Sequence, residues 1–237
     1  MPALPPKGPK ADVGNLALAT QASLRVREEG LGLNIHIDPF QVKEPAKTDL
    51  IFITHPHFDH CDPKSVERLY TKGKTRVVAP AECFNDLKGL AREDCHVVAP
   101  GQSSEIFGVP FTTLPAYNLV QERAHFHPRE KGWVGYVLKV NRQTLYHAGD
   151  TDLIPEMGPL ASRLNLGFLC AGGTYTMSVD EALKAAESIR ADITVPMHLI
   201  PVDPKDVTKQ RREAERFKTA METKKMRAEV MGGFGKF

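Results

Sequence analysis

Thr54-His55-Pro56-His57-Phe58-Asp59-His60 follows the apolar run Leu50-Ile51-Phe52-Ile53, and this junction decides how the chain is read. An unbroken apolar tetrapeptide between Asp49 and Thr54 predicts a strand buried on both faces. The motif therefore begins where a central strand ends. On an extended chain His55, His57 and Asp59 share a side, and Pro56 lacks the N–H that would continue a ladder. His60 breaks that parity, so the chain turns there and one motif serves two positions in space. Imidazole and carboxylate without thiolate suit Zn, Mn or Fe, and two ions side by side fit this set better than one. An open coordination position at such a centre supplies an activated water.

The 237 residues are 41% hydrophobic and 25% charged, which is ordinary for a globular protein with one large core. A net charge of +2 gives no electrostatic case for nucleic acid or an anionic membrane. Cys61, Cys83, Cys95 and Cys170 show no C-x-x-C pairing and read as reduced thiols, Cys61 as a buried small side chain rather than a ligand. No apolar stretch reaches membrane-spanning length, and the opening residues lack a signal-peptide core, so the expected location is cytoplasmic. Residues 1–12, rich in Pro and Lys, are expected to be a loose arm or an element laid across a neighbour. Residues 13–237 are expected to form one domain.

Along that domain, Leu16–Val26 and Gly32–Asp38 read as an opening hairpin turning at Glu28-Glu29-Gly30. Asp62-Pro63 opens a helix that Gly73 ends. Thr75–Ala79 (strand), Ala81–Arg92 (helix) and Cys95–Ala99 (strand) continue a β-α-β rhythm. Val109–Leu114 is a strand leading into Pro115-Ala116-Tyr117-Asn118. Trp133–Val140 and Gln143–His147 pair around Asn141-Arg142, and the second of them delivers Gly149-Asp150. Leu166–Ala171 is a short apolar strand, and Gly172-Gly173 lets the backbone pass close to something. Ser178-Val179-Asp180-Glu181 is a capping box, and Ile193–Met197 is a strand presenting His198. Pro204–Lys225 is charged and helical in pattern, Arg227–Met231 reads as an edge strand, and a glycine-rich tip follows. The basic cluster Lys209, Arg211, Arg212 and Arg216 is interrupted by Glu213 and Glu215, as on a solvated face.

The metal-rich motif resembles the signature of the metallo-β-lactamase superfamily, and Tyr146-His147-Ala148-Gly149-Asp150-Thr151-Asp152 and Pro196-Met197-His198 support the likeness. More narrowly, Pro115-Ala116-Tyr117-Asn118, His127-Pro128 and Gly172-Gly173-Thr174-Tyr175-Thr176-Met177 resemble the ascorbate-6-phosphate-lactonase-like branch of metal-dependent hydrolases. The resemblance implies an α/β (α+β) fold, a four-layer αββα sandwich, around two divalent ions. His55 and His57 are then expected at one ion and Asp59, His60 and His198 at the other, with Asp150 bridging. His147, an odd number of residues from Asp150, is expected behind the ligands. An aspartate in the position of Asp38 stands behind the ligands in the resembled family, where it can orient an imidazole; a turn-forming Asp before Pro39 is the equal alternative.

The wider superfamily supplies a third histidine to the first ion where this chain has Asn118. His127 is favoured to enter the site in its place, with His125 in reserve and the Asn118 amide oxygen as a weaker option. Asp59, His60, Asp150 and His198 are the expected catalytic residues, with Tyr117, Tyr175 and Lys131 as candidate substrate contacts. The leading reading is a hydrolase cleaving a small polar ester, lactone or phosphoester, possible as a homo-oligomer. A nuclease using the charged segment near residues 205–227 is one rival. A non-hydrolytic metal protein for redox or sensing is the other.

Overall fold

Both faces of the strand Leu50–Phe52 are covered, and the layers follow from that. The computed structural model describes residues 3–199 and 207–232. Leu50 and Phe52 point into the main core, while Ile51 and Ile53 pack with Val66, Leu69 and Val77 in a second, smaller one. The strand needed apolar side chains in both directions because a sheet lies on one side and a helix on the other. Truncating Phe52 in such a place costs about 3–5 kcal/mol.

Two six-stranded sheets face each other. The first runs in chain order: β1 (Leu16–Thr20), β2 (Ser23–Glu28), β3 (Leu33–Ile37), β4 (Leu50–Phe52), β5 (Arg76–Pro80) and β6 (Cys95–Val98). Its first three strands pair antiparallel and the last four parallel. The second holds β7 (Ser103–Ile106), β8 (Val109–Pro115), β9 (Val134–Val140), β10 (Gln143–His147), β11 (Leu166–Cys170) and β12 (Ile193–Met197). Here β7 to β10 pair antiparallel, and β10, β11 and β12 parallel. Outside the first sheet lies α1 (Pro63–Leu69), begun by Asp62, whose side chain accepts from the Lys64 N–H. Outside the second lie α2 (Val179–Ile189), closed at its start by the Ser178–Glu181 capping box, and α3 (Val207–Thr223). The order helix, sheet, sheet, helix is the expected four-layer sandwich.

The C-terminal ends of β3, β4, β8, β10 and β12 open on one edge of this sandwich, and five strand ends therefore converge there. Between β9 and β10, Asn141 and Arg142 take φ of 48° and 61°, the positive pair a tight hairpin requires. Among the described residues no helix is long and apolar enough to cross a membrane.

Three expectations are corrected. Leu16–Val26 is two strands, because the chain reverses at Gln21 (φ 44°) without a Gly, Pro or Asn to announce it. Ala81–Arg92 is a 3₁₀ turn over Ala81–Asn85 followed by loop, since only Cys83 and Leu87 are fully buried and Gly89 (φ 84°) breaks the run. The segment Arg227–Met231 makes a single bridge, Ala228 to Thr194, instead of a strand. Of the two readings of the opening residues, residues 3–12 follow the second and lie across a neighbouring element: Ala3 and Pro6 carbonyls accept from Thr112 and Thr144, and Leu4 and Ala11 are buried on the second sheet. Residues 204–206 of the charged segment and the tip beyond residue 232 lie outside the described residues.

Candidate metal centre

The motif after β4 turns before His60, as the broken parity requires, but the turn starts at His57 and so shortens the extended stretch expected to reach Asp59. His60 and Cys61 N–H groups both donate to the His57 carbonyl, at 2.9 and 2.8 Å. The turn, and not strand parity, brings His55, His57, Asp59 and His60 to one place. His55 and His60 rings stand 4.1 Å apart between centroids, and His55 Nε2 lies 3.1 Å from His57 Nδ1.

Three groups of side chains bring their ligand atoms within 4.8 Å of one another: His55, His57 and His127; His55, His60 and Asp150; Asp59, His60 and His198. His127 reaches the first group from the loop after β8, where its ring is buried. Asp150, from the end of β10, sits among all of them. Its Oδ1 is 3.4 Å from His60 Nε2, and its Oδ2 is 3.4 Å from both His127 Nε2 and His198 Nε2 and 4.0 Å from His55 Nε2. Asp59 Oδ2 lies 3.1 Å from His198 Nε2 and 3.9 Å from His60 Nε2.

The donor set fits divalent cations. His60 Nε2, His127 Nε2 and Asp150 Oδ1 are buried without a hydrogen-bond partner, and all three belong to these groups. Such groups are costly to bury unless something answers them. Seven N and O donors in this arrangement exceed what one tetrahedral ion uses.

Asp38, at the end of β3, fixes two of the imidazoles. It is fully buried, with φ 48°, and its carboxylate accepts from the Thr54 N–H (2.8 Å), the Thr54 hydroxyl (2.7 Å) and His60 Nδ1 (2.8 Å). The Thr54 hydroxyl gives its proton to Asp38, so its oxygen accepts from His55 Nδ1 at 2.9 Å. One carboxylate therefore turns the Nε2 lone pairs of His55 and His60 toward the cluster. Thr54 had no role assigned from sequence; its place between a buried strand and the first histidine is the signal that was available.

Asn118 stands beside His127 and outside the ligand groups. Its amide nitrogen faces the carbonyls of Arg123 (2.8 Å) and Tyr175 (2.7 Å), which orients the amide, and lies 3.0 Å from His127 Nδ1. The two amide hydrogens go to those carbonyls, so the approach to His127 Nδ1 is a close polar contact and not a third donated bond.

Burial sets the direction of most proton affinities here. It pushes His55 well below the usual histidine value, with His60 adding to the effect, and lowers His57 to about 4, with His127 adding. Burial lowers His60 and His198 too, but Asp150 and Asp59 outweigh it and both rise. Burial would raise the two aspartates, yet His60 and His198 hold Asp59 at about 2 and Asp150 well below the carboxylate range. Both carboxylates are ionised at neutral pH.

His198 owes its place to close backbone packing. A Cβ on Gly172 would lie 2.5 Å from the His198 carbonyl oxygen, and the His198 N–H donates to the Gln21 carbonyl at 2.9 Å. His147 is fully buried behind the ligands, its Nε2 2.8 Å from the Ala22 carbonyl. His125 is exposed against Phe126 and belongs to no ligand group. The Cys61 thiol points to the Cys83 carbonyl in the smaller core.

A cavity of about 230 Å³ opens over the cluster. Tyr175 lines it, as do Phe58 and Phe126, which sequence reasoning passed over. Two candidate substrate contacts are corrected. Tyr117 is buried with its hydroxyl 3.0 Å from Glu156, and Lys131 pairs with Glu82 at 2.9 Å; neither lines the cavity.

Residues 20–199 match the family model of the beta-lactamase superfamily domain. The UPF0173 metal-dependent hydrolase of Thermoplasma acidophilum is 31% identical over 187 residues, covering 72% of this chain and 80% of that relative. The corresponding protein of Methanopyrus kandleri is 31% identical over 197 residues, or 78% and 85% of the two chains. A solved structure from Parabacteroides distasonis superposes with a TM-score of 0.77 at 26% identity, covering 97% of this chain and 99% of that one. Igni18, a metallo hydrolase of Ignicoccus hospitalis, shares the fold with a TM-score of 0.70 at 24% identity over 93% and 95% of the two chains.

Proposed function

This chain belongs to the beta-lactamase superfamily and, within it, to the UPF0173 metal-dependent hydrolases, and from that premise we propose that it cleaves a small ester, lactone or phosphoester at a centre of two divalent ions. His55, His57 and His127 would hold one ion and Asp59, His60 and His198 the other, with Asp150 placed to serve both. Zn suits this nitrogen and oxygen set best, with Mn or Fe as alternatives. The observation that carries the reading is the convergence of His60 Nε2, His127 Nε2 and Asp150 Oδ1, three buried atoms that lack any other partner.

Bound ions of this kind polarise the scissile carbonyl or phosphoryl oxygen and make an activated water available near neutral pH. The chain's own residues do the rest. Asp59, ionised down to about pH 2, accepts a hydrogen bond from the attacking water and aims its lone pair at the substrate. Asp38 and Thr54 keep His60 and His55 from rotating, so the cluster is set before substrate arrives. Phe126 and Tyr175 wall the cavity against bulk water. No serine or cysteine nucleophile is needed: among the described residues none lines the cavity, and Cys170 is buried with its thiol pushed up to about 12, mainly by burial.

The resemblance of the motifs Pro115–Asn118, His127-Pro128 and Gly172–Met177 to the lactonase-like branch supports a lactone within this class. A cavity of this size favours a small molecule over nucleic acid, and the four free thiols suit a reducing compartment. The test is turnover of lactone, phosphodiester and thioester panels by metal-loaded protein, with Asp59→Asn as the control. Loss of turnover by orders of magnitude in that variant supports the mechanism. Undiminished turnover at full metal content contradicts it.

A further inference from the structure

The mouth of the cavity is built from aromatic rings, and no Lys or Arg among the described residues lines it. Phe58 is 62% exposed although it sits inside the ligand motif, and it is braced edge-on by Phe40 at 5.9 Å between centroids. On the other side Phe126 and Tyr175 meet edge to face, at 4.7 Å and 88°. Nearby cations are engaged elsewhere: Arg123 with Asp152 and Glu181, Arg129 with Glu156, and Lys131 with Glu82. Among the described residues a multiply charged phosphoester would meet no basic side chain at the cavity to receive its remaining oxygens, whereas clamps on phosphoryl groups ordinarily include Arg or Lys. A single exposed Phe needs no explanation; three rings flanking one metal cluster leave a place for apolar area.

We infer that the substrate is an uncharged ester or lactone bearing an aromatic or similarly bulky apolar group, which seats against Phe58, Phe126 and Tyr175 while the ester bond lies over the metal ligands. This rests on the hydrolase reading above and narrows it. Water adds to the carbonyl carbon, the C–O bond to the alkoxy oxygen breaks, and the products are a carboxylate, an alcohol and a released proton. Edge-to-face contact with Phe58 and Phe126 adds to the burial of the substituent, so each ring contributes measurably to selectivity.

The test uses full-length, metal-loaded protein and two product-like probes, phenylacetate and acetate, titrated by calorimetry. Phenylacetate binds at least about tenfold more tightly in the unaltered protein, and the ratio falls about three- to fivefold in Phe58→Ala and in Phe126→Ala. Phe58 is largely exposed, so its replacement leaves the fold intact. Equal affinities for the two probes, or a preference that both variants retain, overturn the inference. Turnover of a phenyl-substituted and an unsubstituted lactone separates it from the reading beneath it. Hydrolysis of neither, with the phenylacetate preference intact, sinks the lactone hydrolase and supports the aromatic seat; hydrolysis of both with equal kcat/KM overturns the seat and leaves the hydrolase.

Discussion

Asp38 accepts a hydrogen bond from His60 Nδ1 at 2.8 Å, and neither side chain is exposed to solvent. That contact extends through the Thr54 hydroxyl to His55, so two histidines that between them reach all three ligand groups take their orientation from one carboxylate. Asp38→Ala is expected to weaken metal binding about 10- to 100-fold, the usual cost of losing a group behind a ligand imidazole. Thr54→Val is expected to cost less, since it frees only His55. Chelator competition measures both, and unchanged affinity in Asp38→Ala would show that the carboxylate serves folding alone.

Gly172 gives a second handle on the same centre. Its replacement by Ala would put a Cβ 2.5 Å from the His198 carbonyl, so the backbone that presents His198 must shift. We expect Gly172→Ala to fold, by circular dichroism, and to bind metal at least about tenfold more weakly, within the range seen when ligand geometry is disturbed. Gly158→Ala is the control, because nothing lies within 4 Å of its added carbon. Equal metal affinity in the two variants would refute the role given to Gly172.

His127 and Asn118 predict stepwise loading. Asp38 pre-sets His60 directly and His55 through Thr54, whereas His127 reaches the cluster from a loop, its Nδ1 facing the Asn118 amide nitrogen instead of a carboxylate. The site of His55, His57 and His127 is therefore expected to fill second and more weakly, with proton release. His127→Ala should abolish that weaker step and His125→Ala should leave it, as followed by calorimetry. Two equal, simultaneous steps in the unaltered protein would contradict this order.

Away from the cluster, His36 makes a pH prediction. Burial, with Arg25 adding, lowers it from 6.5 to about 4. The unfolded chain then takes up a proton between pH 6.5 and 4 that the folded chain refuses, so stability falls as pH drops through this window. Urea unfolding of metal-free protein should show a smaller loss in His36→Leu, by up to about 3 kcal/mol over the window. An unchanged acid slope would mean that the folded ring titrates normally.

Much of this centre is legible in the chain because its ligands fall at the ends of strands whose own patterns are strong. Leu50–Ile53 announces His55, and Ile193–Met197 announces His198. Asp150 follows a hairpin with an obvious turn. What stayed hidden depends on contacts between distant segments. The reversal at Gln21 carries no turn signal, yet its carbonyl receives the His198 N–H and the next carbonyl faces His147. Whether Asp38 is a turn residue or an orienting carboxylate depends on where His60 lands, which local pattern does not encode. Of the aromatic mouth only Tyr175 was legible; Phe58 and Phe126 escaped for the same reason, since the three rings come from three loops with no shared period.

The central claim is that this chain holds two ions, with Asp150 serving both. Elemental analysis of metal-saturated, exhaustively washed protein tests it most directly. The account predicts two ions per chain in the unaltered protein and loss of both together in Asp150→Ala. A stoichiometry that never exceeds one, or an Asp150→Ala protein that loses only one, would contradict it.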